Sequence, residues 1–261
     1  MSKVIYLPTI QHTGTWFVIE TLKLHPDVEA YVEAHLLRRL SQRGTPLAQT
    51  MYDKESFSED GFTIIQQHIP LWEKAKNLHS PGQGASDILF AALICSVPTI
   101  LPIRDPLLSL ITARNRREKN NVPVDIVFMV HIWAQVVRDF EALNNIADPF
   151  YLPVDLLGKA HTGIRIQCVE RMMEHCGLEI ENVCTLEGHS VHSLVSDFCT
   201  EWPVVRSTKG KFESKDKYLE GDIGYFKKKM AKEWKELKAA EPLLRPFLER
   251  LGYENLIWWS K

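Results

Sequence analysis

The apolar segment Val4-Ile5-Tyr6-Leu7 leads into Gln11-His12-Thr13-Gly14-Thr15-Trp16-Phe17 and then directly into an amphipathic helical pattern. A strand, a short turn of glycine and hydroxyl residues, and a helix start together make an anion site. The turn's N–H groups and the positive end of the helix dipole converge on one point there, and the Thr13 and Thr15 hydroxyls add donors. That geometry suits phosphate. No Gly-Lys-Ser/Thr follows Gly14 and the turn is too short to wrap a triphosphate, so an ordinary ATPase or GTPase loop is disfavoured. The same residues also satisfy a plainer pattern, a helix N-cap in which Thr13 or Thr15 accepts from the first helical N–H groups.

Residues 98–114 supply a second junction of the same kind. Pro98-Thr99-Ile100-Leu101-Pro102-Ile103 reads as a buried strand that ends in Arg104-Asp105-Pro106 and passes into a helix. Pro106 fits the first helical turn, where its missing N–H costs nothing. Ligands of open α/β sheets bind beyond the carboxyl ends of the strands, so Arg104 and the 11–17 loop can face one ligand if their strands are neighbours. Ser109 and Thr112 follow Arg104 on nearby faces of that helix. The planar five-donor fork of Arg104 suits a terminal phosphate, with Thr112 as a further hydroxyl donor and Ser109 as its competitor. The alternative for Arg104-Asp105 is a helix-start or ion-pair arrangement.

Strand candidates at 3–8, 61–66, 99–103 and 150–154 alternate with helical patterns, which predicts an α/β fold with a parallel sheet covered on both faces. Helices are predicted over 106–118, about 124–146, 162–177 (closed by Gly177) and about 240–251, where Leu243, Leu244, Phe247, Leu248 and Leu251 recur at helical spacing. A chain of 261 residues with 45% hydrophobic content supports one sizeable core, so a single domain over 1–261 is the default. A formal net charge of −2 gives no reason to expect nucleic acid as partner, and no segment has the apolar length needed to span a bilayer. Cys95, Cys168, Cys176, Cys184 and Cys199 lack Cys-x-x-Cys spacing, and the N-terminus lacks a secretory apolar region, which together predict a reducing, cytoplasmic setting. Cys168, Cys176 and Cys184 lie near His175 and His189, yet the helical pattern favours packing over zinc. Trp258-Trp259 read as packing residues.

Taken together, these motifs resemble the sulfotransferase family, whose members transfer a sulfuryl group from 3′-phosphoadenosine 5′-phosphosulfate (PAPS). His12-Thr13-Gly14-Thr15 resembles the family's 5′-phosphosulfate loop, usually Lys-Ser-Gly-Thr, and Leu24-His25-Pro26-Asp27 is a phrase typical of its next helix end. Arg104-Asp105-Pro106 through Thr112 resembles the 3′-phosphate motif, in which a hydroxyl residue follows the Arg eight residues later. Gln66-Gln67-His68-Ile69-Pro70 is similar to the Lys-Thr-His-Leu-Pro segment that carries a catalytic His, and Trp133 and Tyr151-Leu152-Pro153-Val154-Asp155-Leu156 resemble a later helix and strand. The likeness is strong over 4–27 and 98–156. Its departures are His12 in place of the loop Lys and Trp16 where many relatives carry a second hydroxyl residue.

The resemblance implies a P-loop-like sheet and an enzyme that binds PAPS and releases 3′-phosphoadenosine 5′-phosphate (PAP). The acceptor is a hydroxyl or amine of a small molecule or glycan, and no metal is required. It implies the amides of residues 13–17 and the Thr15 hydroxyl at the 5′-phosphate, with His12 as a cation when protonated. It further implies Arg104 with Thr112 or Ser109 at the 3′-phosphate, and His68 as the base, a role His12 could share. As residues, Trp16 or Phe17 can stack adenine or belong to the core, and His68 can equally be a satisfied, partly buried side chain. Residues 206–238 carry eleven Lys or Arg against six Asp or Glu. They read as a solvated segment and an exposed helix, within which Lys209-Gly210-Lys211 loosely resembles the family's basic loop over the 3′-phosphate. The acceptor pocket falls to loops such as 28–60, 71–85 and 185–222. A P-loop small-molecule kinase and a nucleotide-binding protein with a decayed site are the competing readings.

Overall fold

The computed structural model describes residues 3–10, 13–33, 61–69, 97–110, 112, 131, 133–134, 137–138, 141, 148–201 and 231–254. Its frame is a set of parallel strands: β1 (Lys3–Ile10), β2 (Val28–Glu33), β3 (Phe62–Ile69), β4 (Ile100–Ile103) and β5 (Phe150–Pro153). β1 pairs with β3 and β3 with β2, with Ile5 opposite Ile64, while β4 pairs with β5. Tyr6 N–H donates to Pro98 O at 2.9 Å beside a parallel Tyr6–Thr99 bridge, which brings β4 against the free side of β1. The spatial order is therefore β2-β3-β1-β4-β5, and the chain reverses its direction of travel across the sheet between β1 and β4.

Alternation along the strands feeds both faces, as expected for a sheet buried on two sides. Ile5, Leu7, Phe62, Ile64, Ile100 and Leu152 pack on one face. They meet α1 (Thr15–Leu22), α3 (Thr162–His175) and α4 (Val191–Glu201), whose Phe17, Val18, Val169, Met172, Met173, Val191 and Val195 complete that core. On the other side of the strands Val4, Tyr6, Ile65, Leu101 and Ile103 are also buried. There α5 (Ala231–Arg250) contributes Leu237, Leu244, Phe247 and Leu248, and Phe247 meets Tyr151 edge-on at 5.6 Å between ring centroids. The fold class is the predicted one, an α/β arrangement with helices on both faces.

Several boundaries differ from the sequence expectation, each for a physical reason. β2 lies inside the segment expected as loop from residue 28, because Val-Glu-Ala-Tyr-Val-Glu alternates too briefly and too polarly to stand out; only its pairing with β3 makes it a strand. α4 falls inside the loop expected from 185, and the six-residue α2 (Val154–Lys159) was not predicted at all. α5, described from Ala231, is one helix where the expectation had an exposed helix within 206–238 and a separate one from about 240; it runs through Pro242 and Pro246, each of which removes one ladder bond, because the buried Leu237, Leu244 and Phe247 hold the flanking turns on the sheet. α3 matches its prediction and closes on Gly177. Residues 106–110 and 112, and those described between 131 and 141, are helical, with Trp133 fully buried. Trp258-Trp259 lie outside the described residues.

His25, quoted in the sequence only within a family-like phrase at the helix end, has a structural role. It is buried, and since the Asp27 amide can only donate, Nδ1 must accept from it (3.2 Å) while Nε2–H donates to Glu179 O at 2.8 Å. The ring thus ties the end of α1 to the segment after α3.

No helix among the described residues is long and apolar enough to cross a membrane, and no group of three or more His, Cys, Asp or Glu is arranged there to hold a metal. Of the cysteines described, Cys176 and Cys199 are buried, and burial pushes their thiols up to about 12 and about 11. Burial also raises the half-buried Cys168, while Cys184 is exposed. Because the thiolate is the reactive form, native-state alkylation followed by peptide mapping should modify Cys184 well before Cys168, Cys176 and Cys199. Rapid labelling of Cys176 or Cys199 without denaturant would contradict this packing.

Candidate functional site

The reversal between β1 and β4 is where open α/β sheets bind ligands, in the crevice past the strands' carboxyl ends. Two turns meet there. The first follows β1. Gly14 is the N-cap of α1 in the left-handed region (φ 93°, ψ 26°), and Thr15 is the first helical residue. The Thr13 or Thr15 N-cap that the sequence allowed is therefore absent, and with glycine in that position no cap side chain accepts from the first-turn amides. Thr13 and Thr15 are buried, whereas Trp16 is 68% exposed.

Phe17 departs from its expected use in its amide, while its ring takes the core alternative of the two the sequence left open. Its amide donates to Gly14 O at 3.0 Å, so the run of amides open to an anion stops at Trp16. Its ring packs against Phe198 of α4 at 5.6 Å between centroids, inside the core. Of the two aromatic candidates for stacking a base, only Trp16 presents its ring to solvent.

The second turn follows β4. Asp105 caps the helical residues 106–110: its Oδ1 accepts from Leu107 N–H at 2.8 Å, its carbonyl accepts the first helical bond from Ser109 N–H at 3.1 Å, and Pro106 takes the first helical position. The cap fixes where the helix begins and hence where Arg104 leaves the strand. Arg104 Nη1 donates to Thr112 Oγ1 at 3.3 Å, and Thr112 Oγ1 donates to Leu108 O at 2.8 Å. Guanidinium and hydroxyl are thus together, as the eight-residue spacing suggested. The Thr112 proton, however, is committed to a helix carbonyl, so the hydroxyl orients Arg104 and can serve an anion as donor only by turning away from Leu108. Ser109 is fully buried, and its Oγ has no hydrogen-bond partner among the described residues. Burial lowers the Arg104 pKa from its ordinary value, opposed by the Asp155 and Asp105 carboxylates; a guanidinium stays charged through such a shift.

Consecutive residues at the β5–α2 junction touch both turns. The Val154 side chain lies under Gly14, close enough that a Cβ on Gly14 would come within 2.6 Å of Val154 Cγ1. Asp155 Oδ2 accepts from Asp105 N–H at 3.1 Å. With neighbouring Cα atoms about 3.8 Å apart, the two turns are held within the span of one dipeptide and its side chains. Asp155 was quoted in the sequence only as part of a longer likeness, and Tyr253, which donates to its Oδ1, was not singled out.

The remaining candidates divide by position. His68 is the penultimate residue of β3, in register with Thr9 of the neighbouring β1, at the same carboxyl edge of the sheet. His12, Lys209 and Gly210 lie outside the described residues.

No protein-family model matches the chain, and no curated protein matches it. Solved structures do. The mouse sulfotransferase SULT7A1, complexed with PAP, superposes with a TM-score of 0.50 and 13% identity over 93% of this chain and 85% of that one. The sulfotransferase domain from the Synechococcus PCC 7002 olefin synthase superposes with a TM-score of 0.48 and 13% identity, over 88% of this chain and 96% of that one. Similarity at that identity is similarity of fold, and the fold is P-loop-like, with a parallel sheet and flanking helices.

The contact between Gly14 and Val154 makes the first turn testable without a ligand. An alanine at 14 must hold a left-handed backbone, at about 1–2 kcal/mol, and its methyl overpacks Val154 as well. Gly14→Ala should lower the melting temperature clearly, and adding Val154→Ala should recover only the steric part. An unchanged melting temperature in Gly14→Ala would mean that the turn is not left-handed.

Proposed function

We propose that this chain is a PAPS-dependent sulfotransferase, a single domain over 1–261 that transfers a sulfuryl group to a hydroxyl or amine of a small molecule or glycan. The observation that carries the reading is the Arg104–Thr112 pair at the end of β4, set beside the glycine turn of β1 at the reversal of a sulfotransferase-like sheet. A donor with phosphates at both its 5′ and 3′ positions asks for two anion sites side by side. This edge of the sheet has two turns of suitable chemistry, one of amides at a helix start and one with a guanidinium fork.

Bound PAPS supplies the group transferred: the acceptor oxygen or nitrogen bonds to sulfur as the bond from sulfur to the phosphate oxygen breaks. As in phosphoryl transfer, the protein's task is to position the reactants and stabilise charge on the leaving group. In this reading the amides of the Gly14–Trp16 turn and the Thr15 hydroxyl hold the 5′-phosphate, and Arg104 takes the 3′-phosphate. Ser109 or Thr112 adds a hydroxyl, and Trp16 stacks adenine. His68 accepts the acceptor's proton at the carboxyl edge of β3, since imidazole titrates near neutrality. His12, when protonated, stands in for the loop Lys of the resembling family, Lys209-Gly210 covers the 3′-phosphate, and nothing in the step demands a metal ion.

PAP should raise the melting temperature of the wild-type protein and ATP should not; the reverse pattern would favour a kinase. Arg104→Ala should lose most of that shift, because one charge-assisted contact is worth roughly 1.5–3 kcal/mol. A correctly folded Arg104→Ala protein with the full PAP shift would remove Arg104 from the 3′-phosphate.

For His68, the expected outcome is normal PAP binding in His68→Ala with transfer slowed on the order of 10²–10⁴, the usual contribution of a general base. Loss of PAP binding with unaltered turnover per occupied site would place His68 in the donor site instead. Screening a hydroxyl and amine acceptor panel with the wild type supplies the activity against which this is measured.

A further inference from the structure

α5 ends in a left-handed glycine. Gly252 has φ +89°, its N–H donates to Glu249 O at 2.9 Å, and Tyr253 N–H reaches back to Leu248 O at 3.0 Å. This pair of bonds is a Schellman closure, which turns the chain sharply so that the next side chain points back to the protein. The next side chain is Tyr253, almost wholly buried. Its hydroxyl lies 3.2 Å from Ile103 O, the last carbonyl of β4, and donates to Asp155 Oδ1 at closer range. A phenol has one proton, so the two acceptors share it, and Asp155 holds the larger share.

Asp155 in turn accepts from Asp105 N–H through its other oxygen. We propose that Tyr253 and Asp155 are positioning residues, which clamp the Ile103–Asp105 turn between the C-terminal end of α5 and the start of α2 and so fix the direction in which Arg104 meets a phosphate. The proposal rests on the reading of Arg104 as the 3′-phosphate group. It adds to that reading a chain of contacts from Leu248 at the end of α5 to the binding turn.

Two features make the clamp a dedicated arrangement rather than incidental packing. Each of the Asp155 oxygens serves a different donor, one on the backbone of the turn and one on the C-terminal segment, so the carboxylate joins these two elements beside the direct contact of the Tyr253 hydroxyl with Ile103 O. Burial first, and the neighbouring Asp155 carboxylate second, keep the Tyr253 hydroxyl well above its ordinary titration range, so it remains a donor at any pH at which the protein works.

The test compares wild type, Tyr253→Phe, Asp155→Asn, Asp155→Ala, Arg104→Ala and the double variant Tyr253→Phe/Arg104→Ala. It uses amide hydrogen exchange of peptides covering 103–108 and PAP affinity by calorimetry. Tyr253→Phe keeps the ring and removes only the hydroxyl. It should speed exchange at 103–108 while leaving α3 unchanged, and weaken PAP roughly two- to tenfold, the scale of one hydrogen bond. In the Arg104→Ala background the same change should cost PAP almost nothing more, since its effect passes through Arg104. Asp155→Asn, which keeps an acceptor for Asp105 N–H, should retain slow exchange that Asp155→Ala loses. Unchanged exchange in Tyr253→Phe, or an undiminished loss of PAP affinity when Arg104 is already alanine, overturns the proposal. If wild type does not bind PAP, the donor reading falls, and the exchange measurement still decides the clamp: faster exchange at 103–108 upholds it, no change ends it.

Discussion

The bond from Tyr6 N–H to Pro98 O is the contact on which the rest of the molecule depends. It belongs to the parallel Tyr6–Thr99 bridge, which joins a three-stranded sheet to a two-stranded one and decides which strand ends are neighbours. With β4 on the free side of β1, the turn at Gly14 and the turn at Arg104 follow the carboxyl ends of neighbouring strands, the place where open α/β sheets bind ligands. Were β4 on the far side of β2, both turns would keep their local geometry and face different solvent. The aromatic side chain at that point is itself fully buried, and burial drives its phenol far above the ordinary range, so Tyr6 fixes the sheet as a neutral, packed residue.

The two turns are then tied from below by one dipeptide. Val154 fills the space a Cβ on Gly14 would need, and Asp155 holds the amide of Asp105. Glycine at 14 is therefore required twice, by a backbone that ordinary residues rarely adopt and by the closeness of a branched side chain. A site assembled this way is preorganised: its donors are placed by covalent neighbours and short contacts before any ligand arrives.

How much of this could be read from the sequence depended on how local the cause was. The Gly14 turn, the Asp105-Pro106 helix start and the Arg104-to-Thr112 spacing are each set within about ten residues, and their chemistry is written in residue type. The sequence left the outcome open, or missed it, where a residue's fate is decided by a distant partner. For Phe17 the sequence left stacking and core packing both open, and it is Phe198, far along the chain, that decides for the core. β2 became a strand because β3 offered an edge, and α5 passed two prolines because the sheet held its apolar side. Tyr253 carried one local sign, the glycine before it at the end of a helical pattern. That sign locates the turn and does not say which carboxylate the tyrosine will find.

Electrostatics closes the argument about the β4 turn. The charge of Arg104 is opposed by two carboxylates, Asp155 and Asp105, so the turn is not a patch of accumulated positive charge, in keeping with a chain whose formal net charge is −2. Both carboxylates are used as acceptors, Asp105 for Leu107 N–H and Asp155 for Asp105 N–H and the Tyr253 hydroxyl, so their charge is spread into backbone and phenol hydrogens. What remains for an anion is direction: a guanidinium oriented by Thr112, a cap that sets the helix start, and amides at the beginning of α1. A surface that attracted anions by bulk charge would accept any phosphate. In the reading of these turns as two phosphate sites, oriented donors at two separate turns would select a ligand whose anionic groups have the matching separation, and for that selection the proposed Asp155 clamp would matter more through rigidity than through the charge it subtracts.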